Sequence, residues 1–207
     1  MLEKNYRVTL IIPAYQEELG IKSVLDELIN IKNNNNFIDQ IIVVDDGSTD
    51  KTSEILLSYP EIELIKHSVN RGYGASLKSG IKNAKNDIIT ITDADGTYPN
   101  DKIPNLFNQL VKYDLDMVVG ARIGDKVKIP FIRKPIKWAI GKLANWVTGE
   151  SIPDINSGLR VFKKSSFMPF QNIVPDGFSF TTTITLGMLS GGYKVKFSPI
   201  DYYQRSG

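Results

Sequence analysis

Between residues 7 and 120, short β-branched runs alternate with helix-length amphipathic segments. This is the pattern of strand-helix-strand units and a mostly parallel sheet. Residues 7–13, Arg-Val-Thr-Leu-Ile-Ile-Pro, read as a first strand stopped by Pro13. Leu19, Val24, Leu25, Leu28, Ile29 and Ile31 recur near helical spacing and predict a helix over 18–32. The run Asn33 to Asn36 is polar and turn-prone and reads as a surface loop. Ile41 to Val44 is a second, buried strand and Ile62 to Ile65 a third, weaker one. A helix is expected from the Gly72/Gly74 segment to about Lys85, a strand at 87–92, a helix near 101–113 and a strand at 115–120. Beyond Arg122 a basic loop and an amphipathic stretch at 134–148 replace the repeating pattern. No internal repeat and no linker divides the chain, so one α/β domain over 1–207 is expected, a mostly parallel sheet flanked by helices.

Composition narrows the chemistry. The 207 residues are 42% hydrophobic and 23% charged, which excludes a disordered or collagen-like chain. With no cysteine and a single histidine, His67, thiol catalysis, zinc-cysteine sites and multi-histidine metal centres drop out. Carboxylates, cations and hydroxyls remain. The net charge of +2 is too small to mark a nucleic-acid binder. No apolar run reaches the roughly 18 residues of a membrane span. His67 has no carboxylate close in sequence and reads as a solvent-exposed or satisfied loop residue.

Acidic residues gather where strands end: Asp45 and Asp46 after the second, Asp93 and Asp95 after the fourth. In an open parallel sheet these ends share one edge, where ligands bind. Hard oxygen donors there suit magnesium or manganese, and such a metal suits a phosphate-bearing substrate. Asp45, Ser48 and Asp50 serve equally well as strand terminators and helix caps. Asp93 and Asp95 are harder to explain that way, because two like charges at the end of a buried strand repel unless a cation offsets them. Gly72 and Gly74 precede a helix and would allow backbone approach to a phosphate, but they form neither a dinucleotide fingerprint nor a Walker loop.

Four segments, Ile11-Ile-Pro-Ala-Tyr-Gln-Glu17, Val43-Val-Asp-Asp-Gly-Ser-Thr-Asp50, Asn70-Arg-Gly-Tyr-Gly-Ala75 and Thr92-Asp-Ala-Asp-Gly-Thr-Tyr-Pro99, together resemble family 2 glycosyltransferases of the GT-A (nucleotide-diphospho-sugar transferase) fold. Val119-Gly-Ala-Arg122, Asp154-Ile-Asn-Ser-Gly-Leu-Arg-Val-Phe162 and Pro199-Ile-Asp-Tyr-Tyr-Gln-Arg-Ser-Gly207 are similar to the branch of dolichol-phosphate mannose synthases and polyprenyl-phosphate glycosyltransferases.

The resemblance implies a nucleotide-sugar-binding half over 1–120 and an acceptor-binding half over 121–207. Pro13, Ala14, Tyr15 and Glu17 would line the base and ribose pocket, with Asp46, after Val44, closing it; Gly74 would approach the phosphates. Asp93-Ala94-Asp95 would be the D-x-D element, with Asp95 binding Mn2+ or Mg2+ directly and Asp93 helping. Thr97 stands where mannose synthases commonly carry a glutamine metal ligand, and Thr183 where they often place a glutamate. Arg122 and Arg205 match cations that contact diphosphate or acceptor phosphate, and Asp154 matches an aspartate facing the acceptor. Ser157, Gly158 and Arg160 share that motif, Gly158 serving the turn and Arg160 a structural role.

From Arg122 to Lys142 there are seven Lys or Arg and one acidic residue, Asp125. With the apolar face of 134–148 and its flanking Trp138 and Trp146, this reads as an interfacial helix on an anionic membrane surface, or as a core-packing helix with solvated lysines. Relatives of this branch usually continue beyond the Arg-x-Gly motif, so a C-terminal membrane anchor after Gly207 is expected. The expected activity is inverting transfer of a hexose from a nucleotide sugar to polyprenyl phosphate at the cytoplasmic membrane face. Transfer to a saccharide or protein, nucleotide-sugar binding without catalysis, and nucleotidyl transfer are the competing readings.

Overall fold

The computed structural model describes residues 6–123 and 152–205. The amphipathic stretch at 134–148 and nearly all of the basic segment lie outside the described residues. The strands are β1 (Val8–Ala14), β2 (Ile38–Asp45), β3 (Glu63–Lys66), β4 (Ile88–Ile91), β5 (Met117–Arg122), β6 (Arg160–Lys163) and β7 (Val195–Ile200). They form a sheet in the order β3-β2-β1-β4-β6-β5-β7. All neighbours run parallel except β6, which is antiparallel to both β4 and β5. The helices are α1 (Ile21–Asn34), α2 (Thr52–Leu57), α3 (Tyr73–Asn83), α4 (Ile103–Lys112), α5 (Lys164–Phe167) and α6 (Phe180–Ser190).

Alternation along each strand sorts its side chains between two apolar layers. Leu10, Ile12, Ile41, Val43, Val118 and Val161 face α1 and α4, meeting Leu25, Leu28, Leu106 and Leu110. Ile11, Ile42, Val44, Met117, Val119 and Phe162 face the other way, onto Leu77 and Ile81 of α3 and Phe180, Ile184 and Met188 of α6. A sheet covered on both faces needs apolar residues at consecutive positions, which is why these strands read as unbroken hydrophobic runs. Each fully buried Leu or Ile contributes about 1.5–3 kcal/mol. No helix among the described residues is long and apolar enough to cross a membrane.

Several boundaries differ from the sequence expectation: β1 is not stopped by Pro13 but runs through it to Ala14, because its neighbour β2 continues alongside to Asp45, and β2 begins at Ile38 rather than Ile41. Helix α1 begins at Ile21 rather than 18: residues 18–20 form a turn in which the N–H groups of Gly20 and Ile21 share the Glu17 carbonyl (3.2 and 3.0 Å), while the N–H of Glu17 and Glu18 donate to Thr52 Oγ1 (2.8 Å) and Asp50 Oδ2 (3.2 Å). It also runs through Asn33 and Asn34. There the amides of Asn34 and Asn35 donate to the carbonyls of Asn30 (2.9 Å) and Ile31 (2.8 Å), closing the last turn where carbonyls otherwise lack partners.

Strand direction gathers the chemistry. The carboxyl ends of β1, β2, β4, β5 and β7 all open on one edge. Because β6 is reversed and Arg160 pairs with Ile91, the segment leading into β6, residues 154–159, arrives at that edge too.

Candidate functional site

The loop after β1 is knit to the loop after β2. Gln16 sits in the left-handed region at φ 56°. Its side-chain carbonyl accepts from the N–H of Thr49 (2.9 Å) and Asp50 (3.2 Å), its amide donates to Thr49 Oγ1 (3.1 Å), and its own N–H donates to Ser48 Oγ (3.2 Å). These bonds hold a conformation that costs about 1–3 kcal/mol in isolation. Ser48 therefore serves Gln16 rather than a helix start, while Asp50 Oδ1 accepts from Thr52 N–H at 3.0 Å at the entry to α2. Pro13, Ala14, Tyr15 and Glu17 are thereby presented to the edge.

Asp46 is buried and stands beside these residues at the end of β2. Its Oδ1 accepts from the N–H of Arg71 (2.9 Å) and from His67 Nδ1 (2.6 Å), and its Oδ2 accepts from Gly72 N–H (2.7 Å). His67 Nε2 lies 2.9 Å from Ser79 Oγ on α3. His67 is thus satisfied, as one of its two expected states, but it is buried rather than exposed. The carboxylate it needs is far off in sequence and delivered by the neighbouring strand.

Asp93 and Asp95 follow β4. Burial raises the Asp93 carboxyl to about 6, the nearby Asp95 charge adding to the effect, with Tyr73, Arg122 and Arg160 opposing it. Tyr73 Oη donates to Asp93 Oδ1 at 2.9 Å. Burial and the Asp93 charge push the Tyr73 phenol well above its ordinary range, so it stays a donor. A Cβ on Gly158 would stand 2.8 Å from Asp93 Oδ2, so this glycine clears space for the carboxylate, beyond the turn role expected of it. Thr97 is buried, with its N–H and Oγ1 both donating to Asp95 Oδ1, at 3.0 and 2.7 Å.

Arg122, at the end of β5, grips Asp154 with two prongs, Nε to Oδ2 at 2.7 Å and Nη2 to Oδ1 at 2.9 Å. Its backbone N–H adds a third bond to Oδ2 at 3.0 Å, and Asn156 N–H approaches Oδ1 at 3.3 Å. Burial disfavours the charged guanidinium, but the hydrogen bonds to Asp154 outweigh it and raise the Arg122 pKa. The guanidinium also lies 5.2 Å from the centre of the Tyr202 ring. Arg160 is fully buried below, donating to the carbonyls of Ser157 and Thr181 and to Thr185 Oγ1. It ties the 154–158 segment to α6, the structural role expected of it; burial lowers its pKa. At the far end of the chain, Tyr203 N–H donates to the Thr97 carbonyl (2.9 Å) and Arg205 Nη2 reaches Glu17 Oε1 (2.7 Å).

Two cavities result. The larger, about 410 Å³, is lined by Pro13, Ala14, Tyr15, Glu17, Asp46, Asp93, Ala94, Asp95 and Arg205 among the expected residues. The smaller, about 140 Å³, carries Arg122, Asn156, Gly158, Thr181, Tyr98 and Tyr202. Tyr73, Asp93 and Phe178 line both. Val44 and Gly74 line neither. Val44 is core, two residues short of Asp46 at the edge, and Gly74 lets the start of α3 press against the Pro175–Asp176 backbone. Asp154 and Thr97 stand behind the residues they hold. Asn70, Tyr73, Ser76 and Phe178 were missed as lining residues. The aromatic ring between Gly72 and Gly74 was a signal for Tyr73; nothing local marked the others.

Among the described residues no group of three or more His, Asp or Glu side chains gathers. Asp93 and Asp95 nevertheless fit a divalent cation. The charge of Asp95 adds to the elevation of Asp93, a repulsion that a cation relieves. Ions of the magnesium type are typically held by one or two carboxylates, with water and substrate phosphates completing the shell.

A doubly covered, mostly parallel sheet with an acidic pair at its carboxyl edge defines a GT-A-type transferase fold. The solved glucosyl-3-phosphoglycerate synthase of Mycobacterium tuberculosis, in complex with Mn2+, UDP and phosphoglyceric acid, shares that fold at a TM-score of 0.77 and 18% identity, over 98% of this chain and 72% of that one. The chain belongs to glycosyl transferase family 2, whose profile matches residues 9–169. It is 34% identical over 183 residues to the UDP-N-acetylglucosamine–dolichyl-phosphate N-acetylglucosaminyltransferase of Methanococcus voltae, covering 77% of this chain and 70% of that protein. It is 29% identical over 181 residues to the dolichyl-phosphate beta-glucosyltransferase of Dictyostelium discoideum, covering 78% of this chain and 55% of that one. The chain thus spans little more than half the length of the second relative.

Proposed function

We propose that this chain moves a hexose from a UDP- or GDP-sugar to polyprenyl phosphate by a single inverting displacement, with Mn2+ or Mg2+ as cofactor. The observation that carries this reading is the pairing of the two cavities. An acidic one, with Asp93 and Asp95, adjoins a smaller one bearing Arg122, and Tyr73, Asp93 and Phe178 are common to both. The first suits a cation-bound diphosphate and the second an anionic acceptor. The dolichyl-phosphate acceptors named for both relatives support a lipid phosphate there.

In this reading residues 1–120 serve the donor and 121–207 the acceptor. Pro13, Ala14, Tyr15, Glu17 and Asp46 enclose base and ribose, and Arg205 reaches the diphosphate. Asp95, with Asp93, holds the cation, which neutralises charge on the departing nucleoside diphosphate. Thr97 aims Asp95. Arg122 meets the acceptor phosphate, a match for a guanidinium fork. A phosphate is already ionised near neutral pH, so no strong general base is required. Asp154, whose two oxygens are taken up by Arg122 and Asn156, orients Arg122 instead of accepting a proton. Reaction takes place at the cytoplasmic membrane surface, where the basic segment 122–142 favours anionic headgroups.

The test is to incubate the protein and Mn2+ with UDP-glucose, UDP-N-acetylglucosamine or GDP-mannose, each with undecaprenyl or dolichyl phosphate, and to analyse the lipid extract by mass spectrometry. A hexosyl-phospholipid is expected. Donor consumption only with a saccharide or protein acceptor would overturn the acceptor assignment, and binding without consumption would overturn catalysis.

A further inference from the structure

His67 is the chain's single histidine. It is buried one strand away from the donor cavity it does not line. We infer that His67 is a positioning residue for nucleotide recognition, locking the Asp46 carboxylate into the orientation in which it meets the donor's nucleobase or ribose. The inference rests on the reading that the larger cavity takes the nucleotide.

The geometry is specific. An ionised carboxylate only accepts hydrogen bonds, so the proton between Asp46 and His67 lies on the ring, at Nδ1, 2.6 Å from Oδ1. Oδ1 also accepts from Arg71 N–H, which fills its two lone-pair directions. Oδ2 accepts only from Gly72 N–H among the described hydrogen bonds, and Asp46 is part of the cavity wall. One oxygen is therefore fastened and the other retains acceptor capacity towards a ligand N–H or O–H. The ring is itself held on both sides: its backbone N–H donates to the Asp45 carbonyl at 2.9 Å, and Nε2 lies 2.9 Å from Ser79 Oγ. Through Ser79 the carboxylate is braced against α3, the helix that also supplies Tyr73 and Ser76 to the cavity. Without the ring, Asp46 keeps its two backbone donors, both from the 71–72 loop, and loses its one side-chain strut among the described hydrogen bonds, the one that braces it against α3.

Asparagine and glutamine separate positioning from bulk packing. The Asn side-chain nitrogen falls near the place of Nδ1, facing Asp46, whereas the Gln nitrogen falls near Nε2, facing Ser79. UDP binding with Mn2+ is measured by calorimetry, and GDP is used if UDP does not bind. His67→Ala and His67→Gln should weaken nucleotide binding about tenfold or more, the effect of losing a hydrogen bond to a charged group. His67→Asn should stay within about threefold of wild type, although it fills no more space than Gln. The lone imidazole gives an independent readout that needs no variant: its 1H–15N signals in the wild-type protein should move on nucleotide addition. If Asp46→Ala weakens binding while His67→Ala, His67→Gln and the imidazole signals show no effect, the inference is overturned. If Asp46→Ala also binds nucleotide as wild type does, the reading of the cavity is what fails. Should His67→Ala not fold, His67→Gln and the imidazole spectrum carry the decision.

Discussion

Glu17 and Arg205 meet across the mouth of the larger cavity although 188 positions separate them: Arg205 Nη2 lies 2.7 Å from Glu17 Oε1. The end of the described chain is thus part of the wall of the larger cavity, held there by the Tyr203–Thr97 backbone bond. Arg205 is half-exposed, and an exposed ion pair contributes only about 0–1 kcal/mol to folding. Arg205→Ala should therefore leave Tm nearly unchanged yet weaken UDP or GDP binding about tenfold, the loss of one charge-assisted contact to a diphosphate. Calorimetry beside a melting curve checks both halves of this statement.

Asp154→Asn distinguishes orientation from base catalysis. The amide retains one carbonyl to accept from Arg122 but loses the matched two-pronged charge. Transfer should fall about ten- to a hundredfold, with the shape of the pH–rate profile preserved. Abolition of turnover, or loss of an acidic limb from the profile, would restore the aspartate as a proton acceptor.

Asp93 titrates at about 6 in the fold, against about 3.9 in an unfolded chain. The folded state then binds more protons between these values, so stability falls as pH rises from about 4 to 6 and stays reduced above. The penalty at pH 7 is about 3 kcal/mol. In EDTA, Asp93→Asn should melt higher than wild type at pH 7.5, and the gap should close near pH 4. Equal melting temperatures at both pH values would contradict the strained carboxylate.

Asp95→Ala removes the carboxylate that Thr97 aims. Mn2+-dependent donor binding and transfer should both disappear, while the fold persists because Asp95 is only partly buried. Titration of UDP with and without Mn2+ checks it; unchanged metal dependence would move the cation elsewhere.

Gly158→Ala puts a methyl 2.8 Å from Asp93 Oδ2, where Tyr73 already pins the other oxygen. Overpacking of this kind costs about 1–3 kcal/mol. The variant should melt lower and lose donor binding together, whereas the same change at Gly177, which has open space around its would-be Cβ, should do neither.

Much of the site was readable because a parallel sheet turns sequence order into spatial order. Pro13, Asp46, Asp93 and Asp95 each stand just past a hydrophobic run, and strands that run the same way bring their ends together. What escaped was set by contacts distant in sequence. The burial of His67 depends on Asp46 from β2 and Ser79 from α3, neither adjacent to it. The space around Gly158 is defined by Asp93, which follows β4, more than sixty residues earlier in the chain. Val44 shares its face of β2 with Asp46 but stands two residues further back from the edge, where that face is packed against α3. The asparagines at 33 and 34 have poor helix propensity in isolation, but Asn34 and the following Asn35 cap carbonyls one turn back, so local chemistry defeated the average.

The reversed strand β6 has a consequence for how the chain is made. It lies between β4 and β5, and β5 takes both of its partners, β6 and β7, from later in the sequence. A ribosome that has released the chain only as far as Arg122 has therefore delivered β4 with one open edge and β5 with no neighbour at all. Such unpaired edges recruit other chains. Assembly of the side that carries the smaller cavity waits on β7, close to the end of the described chain, so nascent intermediates of this protein should be clients for chaperones that cover exposed strands until synthesis passes Ile200.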